Sequence, residues 1–200
     1  MTRTTIAQEA FRGWPNTYRV TNGLVDARVV ADIGPRIIHF GPAGGTNLFY
    51  VREAEAGKHD EGTWMFRGGW RLWIAPERTE TTYALDNALC QVELVNESTI
   101  RVTAPAQAAA GIQKQVDITL PPDEPRLRIT SHIKNISDHP LTYAAWSLAV
   151  LRPGGRGFVP LDVGSLTAFD ATRKLILWSY ASFADPRYHF HILRIFGRIT

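Results

Sequence analysis

Apolar and polar positions alternate with a period of two along most of this chain, and the 3.6-residue period of an amphipathic helix is nearly absent. Tyr18–Asn22 runs into the tight-turn dipeptide Asn22-Gly23 and then into Leu24–Val30, which together predict a β-hairpin. A strand over Arg36–Phe40 follows the Gly34-Pro35 break. Leu89–Val95 and Thr99–Thr103 read as strands joined by the polar turn Asn96-Glu97-Ser98. Ile112–Leu120 and Arg126–Ile136 flank Pro121-Pro122-Asp123-Glu124-Pro125, whose prolines cannot lie inside a central sheet. Leu141–Leu151 and Lys174–Tyr180 complete the set, and only Thr4–Phe11 and Gln107–Ala110 carry a weak helical pattern.

Strands at this density, joined by antiparallel turn chemistry, predict an all-β fold, a large antiparallel β-sandwich. Within Arg126–Ile133, Arg126, Arg128, Thr130 and His132 share one face while Leu127, Ile129, Ser131 and Ile133 share the other, the pattern of a strand with one wet side. Two hundred residues suit a single domain spanning 1–200, with residues 1–12 weakly ordered or forming a short helix.

Composition adds mainly exclusions. A 44% hydrophobic, 20% charged chain is ordinary for a globular protein. No apolar run approaches the roughly 20 residues of a membrane-spanning helix, and the N-terminus lacks a signal-peptide core, so no membrane partner is expected and the cytoplasm is the expected compartment. The lone Cys90 has no internal disulfide partner and reads as small apolar filler in a strand. A net charge of +3 raises the question of nucleic acid, but the basic residues are scattered as single arginines, so no nucleic-acid partner is expected.

The densest chemistry lies in Gly68-Gly69-Trp70-Arg71-Leu72-Trp73-Ile74-Ala75-Pro76-Glu77-Arg78. Paired glycines and a proline break regular periodicity here and suggest a shaped loop. Indole faces suit the C–H face of a sugar ring, guanidinium groups donate to its hydroxyls, and a carboxylate accepts from them. A buried structural knot is the competing reading.

Several segments resemble one family. Trp14-Pro15-Asn16, Tyr18-Arg19, Thr21-Asn22-Gly23, Asp32-Ile33-Gly34-Pro35-Arg36-Ile37-Ile38 and Gly68–Glu77 resemble a bacterial branch of the galactose-mutarotase-like β-supersandwich proteins. Leu127–Ala149, with its Asn135-Ile136-Ser137-Asp138 turn, is similar to the central hairpin of aldose 1-epimerases. The likeness runs from about Trp14 to Arg187. It implies a sugar-binding protein acting on, or derived from enzymes acting on, the anomeric centre, where a general acid and a general base must reach one small region.

In those enzymes a histidine acid lies on the strand after the Asn-containing turn and a glutamate base lies near the C-terminus. The matching strand here, Tyr143–Val150, has no histidine, and the chain stops at Thr200, where supersandwich relatives continue for several strands. A C-terminally truncated family member is therefore expected, whose apolar run Ile192–Phe196 would form an exposed edge able to recruit a second copy.

In a sugar groove, Arg36 and Arg71 would recognise hydroxyl or carboxylate groups, Trp70 and Trp73 would stack on the ring, and Glu77 would accept a hydroxyl or serve as a displaced acid/base, with Arg71 as its catalytic partner. Each has a bland counterpart: Arg36 pairing with Asp32 at a turn, Trp73 in the core, Glu77 pairing with Arg78. Trp146 and Trp178 lie in apolar strands and read as core. The expected ligand is a small sugar or sugar acid, with no cofactor. A non-catalytic sugar-binding module is the alternative. A His-x-His metal enzyme built on His189 and His191 comes third, because residues two apart on a strand point the same way.

Overall fold

The computed structural model describes residues 3–158, 164, 176–182 and 184–188. Its described strands are β1 (Thr5–Gln8), β2 (Thr17–Thr21), β3 (Val25–Val30), β4 (Arg36–Pro42), β5 (Gly69–Ala75), β6 (Gln91–Asn96), β7 (Thr99–Thr103), β8 (Ile112–Thr119), β9 (Arg128–Asn135) and β10 (Ala144–Val150). One helical turn, α1 (Thr79–Thr82), and two 3₁₀ turns, Glu53–Glu55 and Ala108–Ala110, interrupt them. A six-stranded sheet runs β1-β2-β3-β4-β5-β10 and a four-stranded sheet runs β6-β7-β8-β9, with antiparallel pairing throughout. The fold is an all-β antiparallel sandwich.

Turn chemistry explains the β2–β3 hairpin. Gly23 takes a φ of 81°, and the Asn22 carboxamide oxygen accepts from the amides of Leu24 and Val25 at 3.0 and 3.1 Å. The Asn22 amide nitrogen donates to the carbonyls of Pro121 and Glu124 at 2.7 and 2.9 Å, tying this hairpin of one sheet to the β8–β9 connection of the other.

The strand faces then build the core. Val25, Ala27 and Val29 of β3, Ile37 of β4 and Trp70 and Leu72 of β5 pack with Ile100 and Val102 of β7 and Val116 and Ile118 of β8. Each of the valine, leucine and isoleucine side chains removed from water here contributes about 1.5–3 kcal/mol, which is what holds the sheets face to face. Cys90 joins this core, and burial pushes its thiol up to about 12, in keeping with a filler role. In β4, His39 pairs with Arg28 and Ile37 with Val29, so Ile38 is an extra residue. Ile38 points to the other side of the sheet from Ile37, where it packs with Trp14, Val30, Ile33 and Val51, and the bulge keeps His39 opposite Arg28 and returns Phe40 to the first core. The adjacent Ile37 and Ile38 are thus both fully buried, in different clusters.

Four expectations are corrected. Thr4–Phe11 contains an edge strand, β1, rather than a helix, because its backbone finds a partner in β2. The segment from Gly69 to Ala75 is a regular strand rather than a shaped loop: Trp70, Leu72 and Ile74 face the core, Arg71 and Trp73 the opposite side. Its glycines permit close backbone approach, since a Cβ on Gly68 or Gly69 would lie 2.1 Å from the Tyr50 carbonyl oxygen or 2.3 Å from that of Ile37. The described part of Lys174–Tyr180 carries no strand, and Trp178 is 43% exposed rather than core.

The chain divides into two compact units, Met1–Gly155 and Arg156–Thr200, and both sheets belong to the first. In the second, Ala181 donates to the Trp178 carbonyl and Tyr188 to that of Asp185, closing two turns. The hydrogen bond and charge of Arg187 hold the Asp185 carboxyl down at about 2. His189, His191 and the Ile192–Phe196 run lie outside the described residues. Among the described residues, no helix is long and apolar enough to cross a membrane.

Candidate functional site

Register brings two arginines together. Arg36 of β4 is paired directly with Arg71 of β5, and Leu148 of β10 lies across from Arg71 on the other side. Directly opposed residues project from the same face of a sheet. Two guanidinium groups would repel there, so the surrounding backbone and one carboxylate absorb the charge. Arg36, fully buried, donates to the carbonyls of Phe66 and Gly68 at 3.2 and 3.0 Å and pairs with Asp86. Its partner is therefore Asp86 and not Asp32, which instead accepts from the backbone and side-chain amides of Asn16. Burial by itself would raise the Asp86 carboxyl; the charges of Arg36 and Arg71, with the Arg36 hydrogen bond, outweigh it and hold the group below its ordinary value.

Arg71 is 5% exposed and donates to the carbonyls of Met65, at 3.2 Å, and Phe66. Its guanidinium carbon lies 5.0 Å from the centroid of Trp64 and 5.3 Å from that of Trp73, a cation set against two neighbouring indoles. Burial, together with the nearby charges of Arg36 and Arg67, lowers it to about 9, so it is still charged at neutral pH. Its Nη1 is buried with no hydrogen-bond partner.

Around this cation lies a half-buried aromatic cluster. Trp73 is 6.0 Å from Trp64, 4.9 Å from Tyr83 and 5.3 Å from Trp146, and Trp64 is 5.2 Å from Tyr83. Trp146 faces Trp73 because they are directly paired between β10 and β5. Its place is this partly open outer face rather than the core expected from the apolar run. Glu77, exposed just beyond β5, accepts a 2.5 Å hydrogen bond from the Tyr83 hydroxyl.

The structure thus brings Arg36, Arg71 and Trp73 to one face, with Glu77 at its margin. Trp70 faces the opposite way: it is 4% exposed, packs in the core shared by the sheets and donates from its indole nitrogen to Ser147 Oγ at 2.6 Å. Trp64, Tyr83, Asp86 and Trp146 complete the site. Trp146 reads from the sequence as core and Asp86 as a turn residue first and a ligand second, whereas Trp64 and Tyr83 sit in connections where no periodicity assigns a face.

Among the described residues, no three His, Cys, Asp or Glu side chains are grouped as metal ligands, and His189 and His191 lie outside those residues. Of the other histidines, His132 on the wet face of β9 lies 3.5 Å from Asp117. His39 is held below its usual value first by burial and then by the charge of Arg28.

Comparison with known proteins gave no match to any family model, any curated protein or any solved structure.

Proposed function

We propose that the outward face of β5 and β10 binds a sugar or sugar acid, and that the protein is a galactose-mutarotase-like carbohydrate-binding protein. The observation that carries this reading is the half-buried cluster of Trp64, Trp73, Tyr83 and Trp146 around the guanidinium of Arg71. The rings are tilted by 50–73° to one another and only half-buried, so they offer exposed apolar ring surface, and sugar C–H groups pack on such surfaces. The cationic Arg71 below favours an oxygen-rich or anionic ligand.

An antiparallel sandwich with such a face on its larger sheet agrees with the resemblance of Asp32–Ile38 and Gly68–Glu77 to mutarotase-like proteins. Glu77, exposed and hydrogen-bonded to Tyr83, is the titratable group at the margin that would accept a hydroxyl or move a proton. Arg71, charged and anchored by two carbonyls, would orient a ligand oxygen rather than exchange a proton with it.

Saturation-transfer NMR with a panel of aldoses and uronic acids tests binding. Transfer from ring protons that falls at least tenfold in Trp73→Ala is the expected result, and silence across the panel would remove the proposal. Polarimetry on freshly dissolved glucose and galactose then separates an epimerase from a binder. An accelerated anomerisation that Glu77→Gln slows at least a hundredfold marks the enzyme, and a rate unchanged by the protein marks the binding module.

A further inference from the structure

Register sets a row of basic side chains across the larger sheet. Arg19 of β2 is directly opposite Arg28 of β3, and Arg28 is directly opposite His39 of β4. Such neighbours project from one face with Cβ atoms about 4.5–5.5 Å apart, where like charges repel. Two carboxylates answer the arginines. Asp26, itself buried, pairs with Arg19 at 3.0 Å, whereas Arg28 meets only Glu9, at 2.8 Å and through a single nitrogen. The Arg28 side chain is 13% exposed and that of Glu9 51%, so a sheltered guanidinium is answered by a carboxylate with which water competes.

The turn Phe11–Trp14, whose ends exchange backbone hydrogen bonds at 3.0 Å, borders the row. The Phe11 ring lies 5.2 Å from the Arg28 guanidinium carbon and meets the His39 ring edge-on at 6.0 Å. The other N–H groups of Arg28 and both ring nitrogens of His39 have no hydrogen-bond partner among the described residues, and solvent reaches these atoms. Arg36 and Arg71 differ, because their donors are turned onto backbone carbonyls. Open donors on a sheltered cation are what an oxyanion requires.

His39 senses the local charge. Burial first and then Arg28 hold its ring below its ordinary value; Asp26 pushes the other way, and Arg12 and Arg19 add to the lowering. On the far side of β4, Asn47 and Leu48 are tied to Ile38 and Phe40 and bring no charge. The arginines therefore outweigh Asp26 at the ring, and an anion beside it would favour the protonated form.

We infer that Arg28 and His39 form a binding site for the phosphate group of a small phosphomonoester, Arg28 donating two N–H groups and His39 one to its three terminal oxygens while Glu9 swings aside. Three donors match three oxygens, where a carboxylate offers two. The site goes beyond the aromatic face of β5 and β10, shares none of its residues and stands whether or not that face binds sugars.

The test follows the His39 ring resonances of the full chain by NMR at constant ionic strength, with inorganic phosphate, sulfate and acetate as probes. The expected result is saturable movement with phosphate and sulfate, at least fivefold tighter than with acetate and weakened at least tenfold in Arg28→Gln. Glu9→Gln removes the competing carboxylate from an exposed position and is expected to tighten phosphate at least threefold, which keeps the test decisive if Arg28→Gln misfolds. Sulfate keeps its charge between pH 5.5 and pH 8. Because a bound anion raises the proton affinity of His39, sulfate is expected to bind at least threefold more tightly at pH 5.5 than at pH 8. No saturable movement, an affinity unmoved by pH or by Glu9→Gln, or acetate bound as tightly as phosphate overturns the assignment. Binding to vesicles containing phosphatidic acid without binding of inorganic phosphate would give the row to a membrane headgroup and overturns it too.

Discussion

Lys114 projects from β8 on the same face as Ile112, Val116 and Ile118 and is only 4% exposed. Burial lowers its ammonium to about 8, the attraction of Asp86 partly offsets this, and the charges of Arg71 and Arg36 push the same way as burial. The unfolded chain, with an ordinary lysine near 10.5, therefore binds more protons between about pH 8 and 10.5. Stability contributed at this position is lowest below pH 8 and rises with pH across that window. Lys114→Met is expected to stabilise the protein at pH 7 by about 1–3 kcal/mol and to flatten the rise, as read by urea unfolding at pH 7 and pH 10. Asp86 presents the opposite case. Asp86→Ala leaves the fully buried Arg36 without its carboxylate and is expected to cost about 3–5 kcal/mol in the same assay. Neither residue announces this in the chain: Lys114 occupies an inward slot of an alternating strand, and Asp86-Asn87 reads as a turn between short apolar stretches.

At the scale of elements, β5 is where local pattern and tertiary pairing part. Gly68-Gly69 and Pro76 punctuate the segment, yet the residues between them alternate Trp70, Leu72, Ile74 against Arg71, Trp73. The glycines mark the strand's entry, where φ values of 90° and 71° let it pass close to Tyr50 and Ile37. Gly69→Ala is expected to destabilise by at least about 1–3 kcal/mol, the cost of a non-glycine residue held at positive φ, measured as a fall in the thermal midpoint. A control at the exposed Gly23, whose added Cβ would meet no atom within 4 Å, retains the φ penalty but not the clash and is expected to lose less. The strand runs from Thr17 to Val30, from Thr99 to Thr103 and from Ile112 to Thr119 were legible because each alternates between clear turn signals. β1 was not, because four residues with no inward apolar series carry no period worth reading.

The whole first unit depends on a core that belongs to neither sheet alone. Ile118, fully buried on β8, packs in the cluster that also holds Val20, Val29 and Trp70 of the larger sheet. Ile118→Ala is expected to cost about 2–5 kcal/mol and to lower the unfolding midpoints of both sheets together. Hydrogen exchange at β3 and at β7 would follow the two sheets separately, and a drop confined to the smaller sheet would show that they do not unfold as one.

Residue order by itself determined the all-β class, most of the strands and the pairing of neighbours such as β2 with β3 or β6 with β7, because alternation and turn chemistry act over a few residues. It also placed Arg36, Arg71 and Trp73 among the candidates by chemical type. Only the tertiary structure decided that Arg71 rests against both Trp64 and Trp73, that Trp70 looks into the core and that Trp146 comes from about seventy residues away to meet Trp73. The physical reason is that a strand's period states that two faces exist, whereas which face is buried, and against what, depends on the strands that pack across it and on bulges such as Ile38 that exchange one face for the other.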